Sequence, residues 1–119
     1  MQDDWVIWHN PKCSKSRKTL NLLRELGISP QVVEYLKTPP EVTEIKHVLG
    51  RLGYTPRDLL RKNEQPFKDL GLGDTAVNDA AVIQAMHKNP VLIERPIVIH
   101  GNHAAVGRPP EAVLELINK

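Results

Sequence analysis

The feature that most constrains the fold of this 119-residue chain is its opening order of strand, helix and strand. The apolar and aromatic run Trp5 to His9 predicts a buried strand that ends at the turn formers Asn10-Pro11. Leucines then recur at near-helical spacing between Ser14 and Leu26, and Gly27 supplies a typical helix stop. A β-branched run, Val32 to Leu36, follows. Two strands joined in this way lie parallel with a right-handed crossover, so the chain opens with a βαβ unit.

The middle of the chain contains helix signals and no candidate strand. A helical pattern runs from Glu41 to Leu52, and Thr55-Pro56 offers an N-cap followed by proline at the first helical position. Pro66 to Leu70 adds a possible turn of helix. Asn78 is placed to cap a helix over Asp79 to Lys88. We therefore expect a block of helices between the second and third strands.

The last part of the chain predicts a hairpin and a final helix. Pro96 to His100 and His103 to Val106 are strand-like, and Gly101-Asn102 between them fits a tight two-residue turn. Pro109 or Pro110 then opens the last helix. The order of βαβ, helical insertion and ββα predicts an α/β, thioredoxin-like fold, in which a four-stranded mixed sheet is flanked by helices.

Composition narrows the class of protein and its compartment. Hydrophobic residues make up 40% and charged residues 25%, as in ordinary globular proteins, and we expect residues 1–119 to form a single domain. A net charge of +2 gives no argument for nucleic-acid or membrane binding. No apolar run approaches the roughly 20 residues of a membrane helix. A single cysteine excludes an internal disulfide, which fits a reducing compartment. We expect a cytoplasmic monomer.

The one cysteine, Cys13, lies between the first predicted strand and the first predicted helix. Helix N-terminal amides favour an anion, and Lys12, Lys15 and Arg17 add positive charge, so we expect the thiolate to be stabilised. A lone cysteine is often an inert small core residue. A proline-flanked, lysine-lined loop is, however, a poor core environment, and the sequence therefore predicts Cys13 as a reactive nucleophile.

The spacing Cys13-x-x-Ser16 is that of a redox CxxC motif whose second thiol has been replaced. No resolving cysteine exists elsewhere in the chain, so any disulfide must use an outside thiol. Glutathione followed by a glutaredoxin is the natural candidate. Cys13-x5 reaches Thr19 instead of the arginine that a Cys-x5-Arg phosphatase loop requires, which disfavours that chemistry.

Arginines near the ends of predicted elements are candidate anion ligands, namely Arg61, Arg95 and Arg108. A planar guanidinium binds oxyanions through paired hydrogen bonds, although any one arginine is more often a solvated surface charge. Arg95-Pro96 opens a strand where thioredoxin-like folds have a cis-proline beside the active site. A cis bond there would bring Arg95 close to Cys13.

The histidines show no zinc-binding spacing, and we expect no metal site. His9 is of interest because it ends the strand before the thiol. It either supports the thiolate or has a structural role. Ser16 and Arg17, at the start of the predicted helix, are further supporting residues of the candidate site.

Several multi-residue blocks occur in order from the first strand to the last helix. They are His9-Asn10-Pro11 before Cys13, Ser16-Arg17, Tyr35-Leu36, Thr38-Pro39-Pro40, Leu59-Leu60-Arg61-Lys62-Asn63, Leu70-Gly71-Leu72, Arg95-Pro96-Ile97-Val98 and Arg108-Pro109. Together these blocks resemble the glutaredoxin-dependent arsenate reductases. The resemblance implies that Cys13 attacks arsenate, and that Arg61, Arg95 and Arg108 hold the oxyanion. It also implies that glutathione is the reductant, that glutaredoxin is the partner, and that no metal or organic cofactor is bound.

The sequence departs from the best-known reductases just after the nucleophile, where Ser14-Lys15 replaces a Gly-Thr pair. Two other functions stay open. A glutathione-linked thiol transferase would use the same thiol, with the arginines binding glutathione carboxylates. A regulator of the Spx type would share the fold and contact RNA polymerase, but it gives no reason for all three arginines to match the reductase pattern.

Overall fold

The computed structural model describes residues 4–117, which divide into two compact units. The sheet unit takes in the chain as far as Thr38 and again from Arg95 onward. The helical unit is the intervening segment, Pro39–Glu94, which is the helical block that the sequence predicts. The single domain expected over residues 1–119 stays a prediction.

The sheet unit contains a four-stranded mixed sheet, as predicted. Its strands are β1 (Trp5–Trp8), β2 (Gln31–Val33), β3 (Ile97–His100) and β4 (His103–Val106). They lie side by side in the order β2-β1-β3-β4. Strand β1 runs parallel to β2 and antiparallel to β3, and β3 runs antiparallel to β4. The predicted βαβ start and the closing hairpin are therefore both confirmed.

The bounds predicted for the second strand, Val32 to Leu36, are wrong, because β2 ends at Val33. The amides of Lys37 and Thr38 both donate to the carbonyl oxygen of Glu34, at 2.9 and 3.0 Å, and these bonds turn the chain. Tyr35 is only 1% exposed in this turn. A buried side chain in a turn leaves the same apolar signal in the sequence as a strand does.

The helices follow the predicted order closely. They are α1 (Ser14–Glu25), α2 (Val42–Leu52), α3 (Gln65–Asp69) and α4 (Asp79–Lys88), with 3₁₀ helices at Pro56–Leu59, Pro90–Leu92 and Pro110–Leu116. The segment predicted as the last helix is thus a 3₁₀ helix. Among the residues described, no helix is both long enough and apolar enough to cross a membrane.

Local capping explains why the helix starts agree with the sequence. The Asn78 side chain accepts a hydrogen bond from the Ala81 amide at 2.9 Å, which caps α4. Thr55 and Asp58 form a capping box at the 3₁₀ helix that Pro56 begins. Each cap is made by residues within three positions of one another, so its pattern is visible in the sequence.

The core of the sheet unit joins β1 and α1 to the end of the chain. Its buried members are Trp5, Ile7, Leu20, Leu23, Ile28, Val98, Val113 and Leu116. The Trp5 ring stacks on His100 at a centroid distance of 4.0 Å, and His100 Nδ1 donates to the Leu116 carbonyl at 2.9 Å. This packing holds β1 and α1 against the end of the chain, and residues 9–13 between the two elements form a loop that we call the thiol loop.

Candidate active site

Cys13 is the N-cap residue of α1, with an extended backbone of φ −95° and ψ 123°. Its amide donates to the Asn10 carbonyl at 3.0 Å, and its own carbonyl accepts the Arg17 amide at 3.0 Å. The side chain is 8% exposed, and the first turn of α1 contains no acidic residue. Cys13 therefore lies at a helix N-terminus, the positive end of the α1 dipole, which is a position that favours bound anions.

A guanidinium lies against this sulfur. Arg108 Nη2 is 3.8 Å from Cys13 Sγ, and Arg108 Nε donates to the Arg95 carbonyl at 2.8 Å. The Arg95-Pro96 bond is cis, as the sequence predicts, and the Arg108-Pro109 bond is also cis. The structure thus places Arg108 beside the Cys13 sulfur and ties the Arg95 backbone to the same guanidinium, while the oxyanion-binding roles of both arginines stay predictions.

The sequence analysis missed Gly107, which comes just before Arg108. A Cβ atom at this position would lie 2.6 Å from Thr19 Oγ1 and 2.8 Å from Pro96 Cγ. The Gly107 amide donates to the Pro96 carbonyl at 2.9 Å, so the backbone cannot move away without losing that bond. Only glycine fits the space between α1 and the cis-proline, and its place beside the Arg108-Pro109 block was the one available signal.

His9 and Ser16 form a buried pair beneath the thiol loop. His9 Nδ1 lies 2.6 Å from Ser16 Oγ, and the same oxygen accepts the Asn10 amide at 3.0 Å. With that amide as its donor, the Ser16 hydroxyl can give its own hydrogen to His9 Nδ1, which leaves the ring proton on Nε2. The pair connects the end of β1 to the first turn of α1, which are the two ends of the thiol loop.

Burial lowers the pKa of His9 below its ordinary value of 6.5. The positive charges of Arg24 and Arg17 act in the same direction, and the carboxylate of Glu34 opposes them. His9 is therefore neutral near pH 7. Of the two roles that the sequence left open for His9, these contacts are those of a residue that positions the loop.

Arg17 also acts on the thiol loop through the backbone. Its Nη1 donates to the Pro11 carbonyl at 2.9 Å, while the Asn10 side chain accepts the Lys12 amide at 3.0 Å. These bonds satisfy loop groups that no strand or helix partner reaches. The supporting residues named from the sequence thus all contact the thiol loop or its ends.

Arg61 belongs to the helical unit and is engaged by two carboxylates there. Its Nη1 lies 2.9 Å from Glu94 Oε1, and its Nη2 and Nε each lie 3.2 Å from Glu64 Oε2. A β-bridge between Leu60 and Ile93 brings the two segments together. The oxyanion-binding role that the resemblance implies for Arg61 stays a prediction, and its two carboxylate partners were not predicted from the sequence.

Within residues 4–117, no three histidine, cysteine, aspartate or glutamate side chains are grouped so that they could hold a metal ion. The contacts described for Cys13 are instead those of its sulfur with the Arg108 guanidinium and of its backbone with Asn10 and Arg17. A thiol in such surroundings can attack an electrophilic centre, and the guanidinium beside it can stabilise negative charge on a bound oxyanion.

Comparison with known proteins shows the family to which the chain belongs. The family model described as the ArsC family matches residues 8–116. The protein YfgD of Escherichia coli K12, which is named as uncharacterized, is 50% identical over 112 residues, covering 93% of this chain and 94% of YfgD. An arsenate reductase of Neisseria meningitidis is 44% identical over 108 residues, covering 90% of this chain and 92% of its own.

A solved structure gives the same result for the fold. The arsenate reductase from Vibrio cholerae superposes with a TM-score of 0.93 at 51% identity, covering 95% of this chain and 97% of its own. The resemblance that the sequence blocks indicated is therefore confirmed, as is the thioredoxin-like fold. The matches with the Neisseria meningitidis and Vibrio cholerae proteins both extend over nearly the whole of each chain.

Proposed function

Because the chain belongs to the ArsC family, we propose that it is an arsenate reductase that takes its electrons from glutathione and a glutaredoxin. The observation that carries the proposal is the 3.8 Å contact of Arg108 Nη2 with Cys13 Sγ at the N-terminus of α1. A cation beside a helix-capping thiol supports both the nucleophile and an anionic substrate. Cys13 is the proposed nucleophile, and the proposed oxyanion ligands are Arg61, Arg95 and Arg108.

In the first proposed step, the Cys13 thiolate attacks the arsenic(V) atom of arsenate. A sulfur–arsenic bond forms, and one arsenate oxygen leaves as water after protonation. The Arg108 guanidinium, which already contacts the sulfur, is placed to stabilise the negative charge on the remaining oxygens. No metal or bound organic cofactor is needed for this step.

In the second step, a glutathione thiolate attacks Cys13 Sγ. The electron pair of the sulfur–arsenic bond passes to arsenic, which leaves as arsenite, and Cys13 is left in a disulfide with glutathione. A glutaredoxin thiol then attacks the glutathione sulfur and releases the Cys13 thiolate. The chain has no second cysteine for this task, so the reductant must come from outside, and we place the reaction in the cytoplasm, where such thiols are kept reduced.

A glutathione-linked thiol transferase is the second candidate, and the same contact favours it. Arg108 beside Cys13 suits a glutathione carboxylate as well as an oxyanion, because both accept paired hydrogen bonds from a guanidinium. The two candidates share the nucleophile and differ in the electrophile, which is arsenic in one and a disulfide sulfur in the other.

The test is arsenate-dependent NADPH consumption with glutathione, glutaredoxin and glutathione reductase supplied. We expect Cys13→Ser to abolish turnover, and Arg108→Ala to lower kcat/KM by about a hundredfold to a thousandfold, as for loss of one donor to a developing oxyanion. Arg51→Ala removes an exposed arginine from α2 and should leave turnover unchanged.

The outcomes separate the candidates. Turnover that is lost in Cys13→Ser and reduced in Arg108→Ala supports the reductase. Reduction of a glutathionylated peptide without any arsenate turnover would replace it with the thiol transferase. Neither activity, with Cys13 still open to alkylation, would overturn both enzymatic functions.

A further inference from the structure

A cavity of about 210 Å³ opens beside the thiol loop and takes no part in the arsenate step described above. Residues of the thiol loop and of the turn after β2 line it, namely His9, Asn10, Pro11, Lys12, Glu34, Leu36 and Lys37. Pockets that enclose drug-sized ligands have volumes of about 300–1,000 Å³. This cavity is therefore suited to one end of a small ligand.

The lining combines an apolar surface with charges of both signs. Leu36 is 41% exposed and offers apolar surface to the cavity, and Pro11 adds more. Lys12 and Lys37 contribute positive charges, and Glu34 contributes a negative charge. The ligand that such a lining favours has a short apolar stem and both an ammonium and a carboxylate group.

The charged pair at the cavity is available for exchange with a ligand. Lys37 Nζ lies 3.4 Å from Glu34 Oε1, and the two side chains are 79% and 40% exposed. Exposed pairs of this kind contribute little to stability, so little is lost when each partner turns to a ligand group. Glu34 can then accept an ammonium while Lys37 binds a carboxylate.

Glutathione has this pattern at its γ-glutamyl end, where one carbon holds both an ammonium and a carboxylate. With this end in the cavity, the ammonium meets Glu34 and the carboxylate meets Lys37, leaving Lys12 for the glycine carboxylate. The two lysines and one glutamate sum to a charge of +1, which is opposite to the net charge of the tripeptide at neutral pH.

The cavity is also rigidly connected to the nucleophile. Asn10 lines it, and this residue accepts the Lys12 amide through Oδ1 and the Cys13 amide through its carbonyl, each at 3.0 Å. A ligand anchored on this loop keeps its thiol near Cys13, which raises the effective concentration of the attacking sulfur.

We propose that this cavity binds the γ-glutamyl end of glutathione and so selects glutathione over other thiols for attack on Cys13. The inference rests on the proposed function for the identity of the reductant. Thiol exchange at Cys13 can nevertheless be measured without arsenate, so the glutathione site and the arsenate reductase function can fail separately.

The experiment uses the mixed disulfide of Cys13 with thionitrobenzoate. An incoming thiolate attacks Cys13 Sγ, forms a new disulfide and releases coloured thionitrobenzoate, which takes the electron pair of the broken bond. Because Cys13 is the only cysteine, every release reports on this site, and mass spectrometry identifies the adduct. Release rates are measured against the concentrations of glutathione, γ-glutamylcysteine, cysteinylglycine and 2-mercaptoethanol.

We expect saturable, faster release with glutathione and γ-glutamylcysteine, and slower, linear release with the two thiols that lack a γ-glutamyl group. Lys37→Ala and Glu34→Gln should each slow the glutathione reaction by about tenfold, through loss of one charge-assisted contact, and leave the 2-mercaptoethanol rate unchanged. Lys18→Ala, an exposed lysine on α1 outside the cavity, is the matched control and should change neither rate.

Linear release with glutathione, or equal slowing of all four thiols in the cavity variants, would overturn the proposal. Selective release without arsenate turnover in the coupled assay would sustain the cavity and reject the reductase. Arsenate turnover with no thiol selectivity would support the reductase and reject the cavity as a glutathione site.

Discussion

The hydroxyl of Ser16 occupies the position of the second thiol in a CxxC motif, and it forms hydrogen bonds within the fold instead of a disulfide. It accepts the Asn10 amide and pairs with His9 Nδ1, so it holds both ends of the thiol loop. A thiol at this position would be a weaker hydrogen-bond partner for both groups. The replacement that deprives Cys13 of an internal resolving cysteine thus also fixes the loop on which Cys13 lies.

The buried His9 ring gives the stability of the protein a pH dependence. The folded state lowers the His9 pKa below 6.5, so the unfolded chain binds more protons as the pH falls through that value. His9 therefore stabilises the fold fully above about pH 6.5, and this contribution is lost as the pH falls toward the lower folded-state pKa. We expect the free energy of unfolding to fall on acidification by up to about 1.4 kcal/mol per pH unit from this one group.

The measurement is urea unfolding between about pH 7 and pH 5 for the native protein and for His9→Asn, which can keep a hydrogen bond to Ser16 without titrating. The slope should be shallower in His9→Asn. His103→Asn, which changes an exposed histidine of β4, is the matched control substitution. Identical slopes in the native protein and His9→Asn would show that His9 is not the titrating group.

At the scale of elements, the end of β4 reaches the thiol through a close approach of backbone to α1. Gly107 lies against Thr19 of α1 and against Pro96, and Arg108 follows directly. Thr19 is fully buried and donates to the Lys15 carbonyl at 2.8 Å, so it has no room to retreat. The position of Arg108 on Cys13 thus depends on the absence of a side chain one residue earlier.

Gly107→Ala should therefore destabilise the protein and displace Arg108. Overpacking at a well-packed site costs about 1–3 kcal/mol, and we expect a loss of this size in the free energy of unfolding together with reduced turnover. Gly50→Ala is the matched control, because a Cβ at this position in α2 meets nothing within 4 Å. Alanine there should raise stability by about 0.5–1 kcal/mol. A Gly107→Ala variant as stable as the native protein would refute the packing argument.

The elements that the sequence predicted correctly are those fixed by neighbouring residues. Asn78 and its helix, and the Gly101 turn between β3 and β4, are local patterns that the structure repeats. The end of β2 was wrong because Tyr35 is buried in a turn, and burial in a turn or in a strand selects the same residue types.

For the molecule as a whole, the sequence placed Cys13 at the start of α1 but did not predict the contacts around it. Cys13 and the cis bond before Pro96 were found from their places in the order of elements. The close approach of Gly107 to Thr19 and the ion pair of Arg61 with Glu94 were not predicted, since each joins residues far apart in the chain. Such contacts leave no periodic signal, and only the fold brings them together.

Arg61 is the one proposed oxyanion ligand that belongs to the helical unit. Together with Glu64 and Glu94 it forms a group with a net charge of −1, which would repel an oxyanion unless one carboxylate gives way. If Arg61 binds arsenate, as the family resemblance implies, Glu94→Gln should lower the arsenate KM and Arg61→Ala should raise it, each by about tenfold or less for one partly exposed contact.

Steady-state kinetics and thermal unfolding of Glu94→Gln, Arg61→Ala and their double mutant test whether Arg61 binds arsenate. In the double mutant the benefit of Glu94→Gln should disappear, because the guanidinium that it releases is no longer there. A lower Tm in Arg61→Ala with an unchanged KM would instead make Arg61 a structural residue that joins the segments around Leu60 and Ile93. The proposed oxyanion ligands would then be reduced to Arg95 and Arg108, which both belong to the sheet unit.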